Sequence, residues 1–469
     1  MKKISPVIWE IPTSVKKGMR VPARIIATEK LLKEMDDGVW EQVTNVACLP
    51  GIVSYAFCMP DGHWGYGFPI GGVAAFDPEE GVISPGGIGF DINCGMRLLT
   101  TNLKVKEVLP KLVELVDFLF QTIPAGVGSR GFVKLNLKEF KELMEGGARW
   151  CLDHDFAWDK DLENIEEQGR ISGADPAKVS QRAKERGMHQ IGTLGSGNHY
   201  LEVQKVAQIF DPSVASRLGI SQVGQITVMI HCGSRGLGHQ VGTDYLRIFG
   251  EAMEKYGLEV PDRQLACAPF KSKEGQDYYA AMAAAANMAF ANRQVITHHV
   301  REVFARIFDR SAQDLGMNLV YDVTHNIAKI EEHKWKMDSG QWKMEKLLVH
   351  RKGATRSFPG QPVILGGSME TGSYLLVGTE KALETTFGST AHGSGRTMSR
   401  TQAQKMVRGQ DLQKTMREHG IYIRTASYSG LAEEAGFAYK NIAEVVEAVE
   451  EAGLSRKVAS FTPIGNIKG

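Results

Sequence analysis

The chain has 469 residues, a formal net charge of +1, 43% hydrophobic residues and 23% charged residues. This composition is typical of a globular protein with a large core, and the near-neutral charge argues against a general polyanion-binding protein while allowing a local basic cleft. No apolar run reaches the length of a membrane span, and the first residues carry no apolar signal segment. We therefore expect a soluble, cytoplasmic protein.

The six cysteines are scattered along the chain and form no C-x-x-C pair. They do not resemble a disulfide framework, so we expect free thiols in a reducing compartment. Each is either a small buried apolar residue or a candidate ligand or nucleophile. The six are Cys48, Cys58, Cys94, Cys151, Cys232 and Cys267.

The first half of the chain is predicted to change from strands to helices. The first hundred residues are glycine-rich and strand-like, with frequent turns. Apolar residues at helical spacing predict a helix over 104–122, with Pro110 as its start or a kink. Residues 138–188 are predicted to be a charged helical insertion or subregion, broken near Pro176.

The second half mixes both element types. Residues 225–242 read as a strand that runs into a glycine-rich loop, and 277–309 as a long alanine-rich helix. A strand ending in a polar turn is predicted for 318–333, consecutive strands for 342–378, and helices after 400. Because the alternation shows no clean βαβ period, we predict an α+β fold, with one large interwoven domain over 1–469 whose β-sheet core is flanked by helices.

Five stretches place polar residues where apolar segments end or small residues cluster. Asp91 and Cys94 are three positions apart, so on a strand they would face opposite sides and can converge only if the chain turns between them. The other stretches carry Asn198, His199 and Glu202; His231; His325 and Asn326; and His392 with Arg396 and Arg400.

These residue types are suited to binding metal ions. A carboxylate, a thiolate and three imidazoles exceed what one ion with an open position needs, but they suit two ions that share a bridging ligand. A histidine at a strand end also serves as an ordinary hydrogen-bonded residue, and spacing alone leaves both interpretations open. We assign that structural role to His154, His298, His299, His333 and His419, and leave His63 and His350 undecided.

Six ordered motifs together resemble the RtcB family of RNA-splicing ligases. They are PGGIGFDINCGMR, TLGSGNHYLEV, IHCGSRGLGH, DVTHNIAK, GGSMETGSY and AHGSGRTMSR. The similarity extends over nearly the whole chain. It implies an enzyme that joins an RNA 3′-phosphate or 2′,3′-cyclic phosphate end to a 5′-hydroxyl end, using GTP and manganese, in tRNA splicing or RNA repair.

The resemblance also implies roles for individual residues. Asp91, Cys94 and His199 would hold one manganese ion, and Cys94, His231 and His325 the second. His392 would be the catalytic nucleophile that takes GMP from GTP. The implied guanylate contacts are Asn198, His199, Tyr200, Leu201, Glu202, His325, Asn326, Gly366, Gly367, Ser368, Met369, Ser373, His392, Gly393, Ser394, Gly395, Tyr439 and Lys468.

The implied phosphate-binding arginines are Arg235, Arg396 and Arg400, the last two sharing a face if their stretch is helical. Cys232 departs from the family pattern, in which a serine or threonine is expected. Ligand softness alone would favour zinc over manganese. Candidate RNA-contacting cations are Arg182, Lys184, Arg186, Arg351, Lys352 and Arg356, all of which could equally be solvated surface residues.

Two other functions remain open at this point. The ligand set alone equally supports a dinuclear metal-dependent phosphoesterase, which would need no guanylated histidine. The third possible function is that of a non-enzymatic RNA-binding subunit of a repair complex. The expected partners are broken RNA ends, GTP and an archease-type activator, with no membrane.

Overall fold

The computed structural model describes residues 1–336 and 342–469 of the chain. Its strands are β1 (Lys2–Ser5), β2 (Ile8–Ile11), β3 (Ala23–Ile26), β4 (Ile52–His63), β5 (Ile70–Phe76), β6 (Val82–Ile83), β7 (Gly95–Lys104), β8 (Tyr200–Ile209), β9 (Gln225–Cys232), β10 (Ala268–Pro269), β11 (Leu319–Thr324), β12 (Asn326–Lys336), β13 (Trp342–Lys352), β14 (Ala354–Arg356), β15 (Pro362–Gly366), β16 (Ser373–Gly378), β17 (Ser389–Ala391), β18 (Tyr422–Thr425) and β19 (Ser455–Lys468).

The helices accompany two large sheets and two small ones. They are α1 (Glu29–Glu34), α2 (Asp37–Val46), α3 (Val105–Val108), α4 (Leu112–Thr122), α5 (Leu137–Gly146), α6 (Ala148–Asp153), α7 (Asp159–Glu163), α8 (Gln181–Met188), α9 (Pro212–Arg217), α10 (Arg235–Tyr256), α11 (Lys273–Phe308), α12 (Glu380–Thr386), α13 (Arg400–Met406), α14 (Gly409–Glu418), α15 (Tyr428–Glu433) and α16 (Ile442–Glu451).

The first sheet has the order β1-β2-β3-β4-β5-β13-β12, and the second the order β11-β7-β9-β8-β19-β16-β15, with β18 added beside β19. In the second sheet β15 also approaches β11 and β7, so this sheet curls towards a barrel. Two short pairs, β6 with β10 and β14 with β17, complete the pairing. The fold is α+β with a sheet core flanked by helices, which confirms the predicted class.

Helix α11 is the central helical element. Its alanine-rich middle is fully buried, and it packs against α4, α5, α6, α10 and strand β9. The predicted helix over 277–309 is confirmed, and it begins earlier because Ser272 caps it by accepting a hydrogen bond from the backbone N–H of Gly275. None of the helices within the described ranges combines the length and the hydropathy that a bilayer span requires.

Several predicted elements are confirmed. Pro110 lies in a short 3-10 segment that separates α3 from α4 within the predicted 104–122 helix. Residues 138–188 form α5 to α8, and Pro176 starts a 3-10 turn. That this subregion is an insertion, and that one domain spans 1–469, stay predictions.

Three predicted elements are wrong. Helices α1 and α2 interrupt the first hundred residues, which we predicted to be strand-like. The predicted glycine-rich loop after β9 is the start of α10, where Leu237 and Val241 bury an apolar face. The predicted polar turn ending at 333 is the continuous strand β12, because Lys329 and Glu331 are buried in ion pairs with Glu166 and Arg351.

Candidate active site

The strand register gathers distant segments at one edge of the second sheet. Met96 pairs with His231, His231 pairs with Tyr200, and Tyr200 pairs with Lys468. On the other side Thr324, the residue before His325, pairs with Gly95. The starts of β7 and β8 therefore lie beside the ends of β9, β11 and β19, which is how residues far apart in the chain meet.

A tight turn before β7 lets Asp91 and Cys94 face the same side. The backbone N–H of Cys94 donates to the carbonyl of Asp91 at 3.0 Å. Asn93 adopts a left-handed conformation with φ of 54°, a conformation that asparagine tolerates better than most residues. The Asn93 side chain donates to the carbonyl of Ala286 at 2.6 Å, which holds the turn against α11.

The five predicted metal ligands converge. The Sγ atom of Cys94 lies 3.3 Å from Nε2 of His199 and 3.3 Å from Nε2 of His231. Nε2 of His199 lies 2.8 Å from Oδ2 of Asp91, and Nε2 of His231 lies 3.3 Å from Nε2 of His325. Two groups result, Asp91–Cys94–His199 and Cys94–His231–His325, each with ligand atoms within 4.8 Å of one another.

These residues fit a pair of divalent cations. Ligands bound at about 2.0–2.3 Å around one ion stand roughly 3.3–4 Å apart, which matches the nitrogen–sulfur separations. Cys94 belongs to both groups, so its sulfur is placed to bridge two ions. The Nδ1 atom of His325 is buried without a hydrogen-bond partner in the described part of the chain, so this ring has bonding capacity that the protein itself leaves unused.

Burial and neighbouring charges shift the pKa values of these groups in different directions. Burial and the neighbouring imidazoles lower the pKa of His231 and of His325 well below the ordinary value, which keeps both rings neutral and able to bind a cation. Burial opposes ionisation of Asp91, but His199 beside it lowers its pKa. Burial and Asp91 raise the pKa of the Cys94 thiol to about 12, so a bound cation is what would favour its thiolate.

Buried groups behind the ligands hold the turn and the end of β9 in place. Nη1 of Arg293 donates to the carbonyls of Asn93 at 2.8 Å and Cys232 at 2.9 Å. The same guanidinium forms a fully buried ion pair with Asp322 at 2.8 Å. One side chain of α11 therefore fixes the residue before Cys94 and the residue after His231.

Close packing at Gly233 also positions Asp91. A Cβ atom at Gly233 would lie 2.2 Å from Oδ1 of Asp91, so no larger residue fits there without displacing the carboxylate. The thiol of Cys232 is fully buried elsewhere: it contacts the carbonyl of Leu194 at 3.0 Å and the Asn292 amide at 3.1 Å. Cys232 is thus beside the ligands in sequence but outside both ligand groups.

His392 follows β17 and lies next to the predicted metal ligands. Its ring centroid is 4.9 Å from that of His325. Its Nδ1 atom lies 2.5 Å from Oδ2 of Asp61, a fully buried carboxylate on β4. The same Oδ2 accepts the backbone N–H groups of His392 at 3.0 Å and Gly393 at 3.2 Å. Despite its burial, the pKa of Asp61 is lowered by His392.

Sequence reasoning missed Asp61. Its only signal was an acidic residue between Pro60 and Gly62 in a stretch with several glycines. His63, whose role the sequence left undecided, lines the cavity described in the next paragraph, and burial lowers its pKa to about 4. The undecided His350 is instead a buried core residue between Phe68 and Phe76.

A cavity of about 380 Å³ opens beside these groups. Most of the predicted guanylate contacts line it. They are Asn198, Tyr200, His325, Asn326, Gly366, Gly367, Ser368, Met369, His392, Gly393, Ser394, Gly395, Tyr439 and Lys468. Four predicted contacts do not line the cavity: His199, Leu201, Glu202 and Ser373. His199 faces Asp91, Leu201 lies in the core, and the Gln204 side chain hydrogen-bonds both Glu202 and Ser373.

A buried carboxylate that sequence reasoning also missed organises one end of the cavity. Oε1 of Glu434 lies 3.3 Å from Nη1 of Arg396 and 3.7 Å from Nε of Arg400. Its Oε2 accepts the Tyr439 hydroxyl and lies 3.5 Å from Nζ of Lys468. Lys468 is buried at the end of β19, so the ordinary expectation of a frayed terminus does not apply to it.

The predicted basic residues differ in where the fold places them. Arg396 and Arg400 both line the cavity, but α13 begins at Arg400, so they do not share a helix face as predicted. Arg182 and Arg186 are exposed on α8, whereas Lys184 is buried. Arg351 is fully buried against Glu331, so the prediction that it lies on an RNA-contacting surface is wrong. Lys352 is buried but lines the cavity, and half-buried Arg356 pairs with Glu167, so RNA contact by these two stays a prediction.

Four of the histidines assigned structural roles contact aromatic or acidic side chains outside the cavity. His154 stacks on Trp150, and buried His333 contacts Glu331 at 3.0 Å. His298 and His299 both face Glu302 on α11, and these three could hold a metal ion on the surface.

Comparison with known proteins agrees with this arrangement. A family model described as tRNA-splicing ligase RtcB matches residues 42–469. Proteins named tRNA-splicing ligase RtcB from Archaeoglobus fulgidus and Thermococcus kodakarensis are 53% and 52% identical to this chain. One from Methanococcus maripaludis is 49% identical. Each alignment covers 100% of this chain and 99% of the relative. The chain therefore belongs to the RtcB family of tRNA-splicing ligases.

Proposed function

We propose that this chain is an RNA ligase of tRNA splicing and RNA repair that joins a 3′-phosphate or 2′,3′-cyclic phosphate end to a 5′-hydroxyl end, using GTP. The observation that carries the proposal is the placement of His392 at the cavity, 4.9 Å between ring centroids from His325, with Asp61 behind its Nδ1 atom. A phosphoesterase needs no such imidazole, whereas a nucleotidyl carrier does.

Asp61 determines which nitrogen of His392 can react. The Asp61 carboxylate lies 2.5 Å from Nδ1 and would favour a proton on that nitrogen, which would leave the free electron pair on Nε2. Nε2 attacks the α-phosphorus of GTP: a P–N bond forms, the bond to the bridging oxygen breaks, and pyrophosphate leaves with that electron pair. The negative charge of Asp61 stabilises the cationic ring that results.

The guanylate then passes to the RNA. An oxygen of the RNA 3′-phosphate attacks the same phosphorus, the P–N bond breaks, and His392 is regenerated. The 5′-hydroxyl of the second RNA end attacks the activated 3′-phosphorus, and GMP leaves as the phosphodiester forms. A 2′,3′-cyclic phosphate is first opened by water.

Two manganese ions are part of the proposal. Asp91, Cys94 and His199 would hold one, and Cys94, His231 and His325 the other. Divalent ions bound there would neutralise phosphate charge and align the leaving group. Because thiolate and imidazole also bind zinc well, zinc in a purified sample would not contradict this assignment.

The end of the cavity around Glu434 would recognise the guanylate. Tyr439 and Lys468 would contact the base, with Glu434 holding both side chains in place. Arg396 lines the cavity and suits phosphate oxygens. The reactants are broken tRNA or other RNA ends and GTP, and an archease-type activator and a cytoplasmic location belong to the same proposal.

The test is joining of two RNA strands, one with a 3′-phosphate and one with a 5′-hydroxyl. With GTP and manganese the protein should produce a joined strand, and with ATP and magnesium it should not. The matched control is His392→Ala, which should bind the RNA without joining it. Release of inorganic phosphate without any joined product would instead support a dinuclear phosphoesterase.

A further inference from the structure

Three aromatic rings from separate segments meet at one mouth of the cavity. Phe90 precedes Asp91, Tyr66 lies in the loop between β4 and β5, and His239 lies in the second turn of α10. The rings of Phe90 and His239 are stacked, with centroids 5.1 Å apart and planes at 25°, and the ring of Tyr66 is tilted against Phe90 at 5.4 Å and 59°. We call this group of three rings the aromatic ladder.

Core packing does not account for this ladder. Tyr66 and Phe90 are half-buried and line the cavity, and the ring of His239 is exposed. Large aromatic side chains in the core of this protein, such as Phe68 and Phe249, are fully buried. Aromatic rings that stay open to a polar cavity are characteristic of surfaces that stack on another flat ring.

Positive charge lies beside the ladder. Arg186 on α8 is exposed, and its Nη1 atom donates at 2.8 Å to the side chain of Gln240, the residue after His239. A nucleotide stacked on the ladder would place its phosphate near this guanidinium, since base-stacking sites on single strands are combined with cations that follow the backbone.

We propose that Tyr66, Phe90 and His239 form a stacking site for the unpaired terminal nucleobase of an RNA strand, with Arg186 beside its phosphate. This proposal rests on the proposed function, because it concerns how an RNA end is held at the same cavity. Phe90 adjoins the metal ligand Asp91, so a base on the ladder lies next to the site where the RNA end would react.

Stacking suits an enzyme that must accept many RNA ends. Every base offers a flat π surface, so a stacking site binds without reading sequence, whereas hydrogen bonds to base edges would restrict the ends accepted. The ladder would thus position the terminal nucleotide while leaving its identity open.

The experiment uses the full-length protein and short single strands that carry 2-aminopurine as their terminal base. One strand ends in a 3′-phosphate and the other in a 5′-hydroxyl, and each is compared with a strand whose terminal nucleotide is abasic. The protein should quench the fluorescence of at least one strand and bind it about 10-fold more tightly than its abasic counterpart. Which strand responds assigns the ladder to that RNA end.

His239→Ala and Tyr66→Leu should lose most of the quenching and most of the preference for the terminal base. Tyr66→Phe is the matched control, because it keeps the ring and should behave like the unaltered protein. Phe90 is left unchanged since it adjoins Asp91. Equal affinity for the abasic strands, or quenching that survives both His239→Ala and Tyr66→Leu, would overturn the proposal.

Formation of a labelled GMP adduct on His392 is measured as well, so that failure of the stacking proposal can be distinguished from failure of the proposed function. His239→Ala should still form the labelled protein, which shows that this variant folds and that its loss concerns RNA alone. If the unaltered protein forms no labelled adduct, the proposed function fails, yet the quenching still decides whether the ladder stacks a base.

Discussion

Oδ2 of Asp61 lies 2.5 Å from Nδ1 of His392 and also accepts the backbone N–H groups of His392 and Gly393. A single buried carboxylate thus orients both the ring and the backbone of the residue that we propose as nucleophile. The relationship joins β4 of the first sheet to the segment after β17, so the site lies where separate sheets meet.

Asp61→Asn should slow guanylylation of His392 by about 100-fold or more, because an amide neither selects the Nδ1–H form of the ring nor stabilises its positive charge. The rate is measured in a single turnover with α-labelled GTP. GTP affinity should change little, since Asp61 lies behind the ring. An unaltered single-turnover rate would show that Asp61 has no part in orienting His392.

Cys94→Ser should remove the sulfur that we propose as bridging ligand and lower the bound metal from the proposed two ions per chain to one or none. Cobalt substituted into the unaltered protein should show a thiolate-to-cobalt charge-transfer band that Cys94→Ser lacks. Cys232→Ser is the matched control and should retain the band, because the Cys232 thiol points towards Leu194. If the band vanishes in Cys232→Ser instead, the ligand assignment is wrong.

Gly233→Ala should weaken binding of one metal ion by about 10-fold or more, because the new Cβ atom would lie 2.2 Å from Oδ1 of Asp91. Isothermal titration with manganese measures this directly. Gly250→Ala is the control, since no atom lies within 4 Å of its Cβ position on α10. It should stabilise the helix by about 0.5–1 kcal/mol and leave both metal affinities unchanged.

Lys352 predicts a pH dependence of stability. Burial lowers its pKa to about 7 in the folded protein, below the value of about 10.4 in an unfolded chain. Between these values the unfolded state binds more protons, so this residue makes stability rise with pH from 7 to about 10, by up to about 1 kcal/mol per pH unit.

Lys352→Met should flatten that rise relative to the unaltered protein. Urea unfolding at several pH values between 7 and 10 measures the difference between the two proteins. Parallel curves over this range would mean that the three carbonyl groups around Nζ, those of Tyr66, Phe68 and Gly86, keep the lysine charged.

Much of the site could be predicted from local sequence, but its geometry could not. Asp91, Cys94 and the histidines occur in glycine-flanked stretches that show their chemistry. Their convergence depends on pairings such as Met96 with His231, which join residues more than a hundred positions apart. Asp61 and Glu434 were missed because a single acidic residue has no pattern until its partner is known.

The errors in the fold have a similar cause. Strand β12 looks like a polar turn because Lys329 and Glu331 are charged, yet both are buried by partners elsewhere in the chain. The segment after β9 looks like a loop because of its glycines, yet one of them is required inside helix α10: a Cβ atom at Gly238 would lie 1.9 Å from Oγ of Ser234 and 3.2 Å from the backbone nitrogen of Ile92. Long-range packing overrides local propensity at both places.

The central claim is that His392 accepts GMP, and the most direct test is mass spectrometry of the intact protein after incubation with GTP and manganese. The account predicts one covalent GMP per chain, mapped to a peptide that contains His392, labile in acid and absent from His392→Ala. A protein that joins RNA ends with GTP while carrying no adduct, or an adduct that persists in His392→Ala, would contradict it.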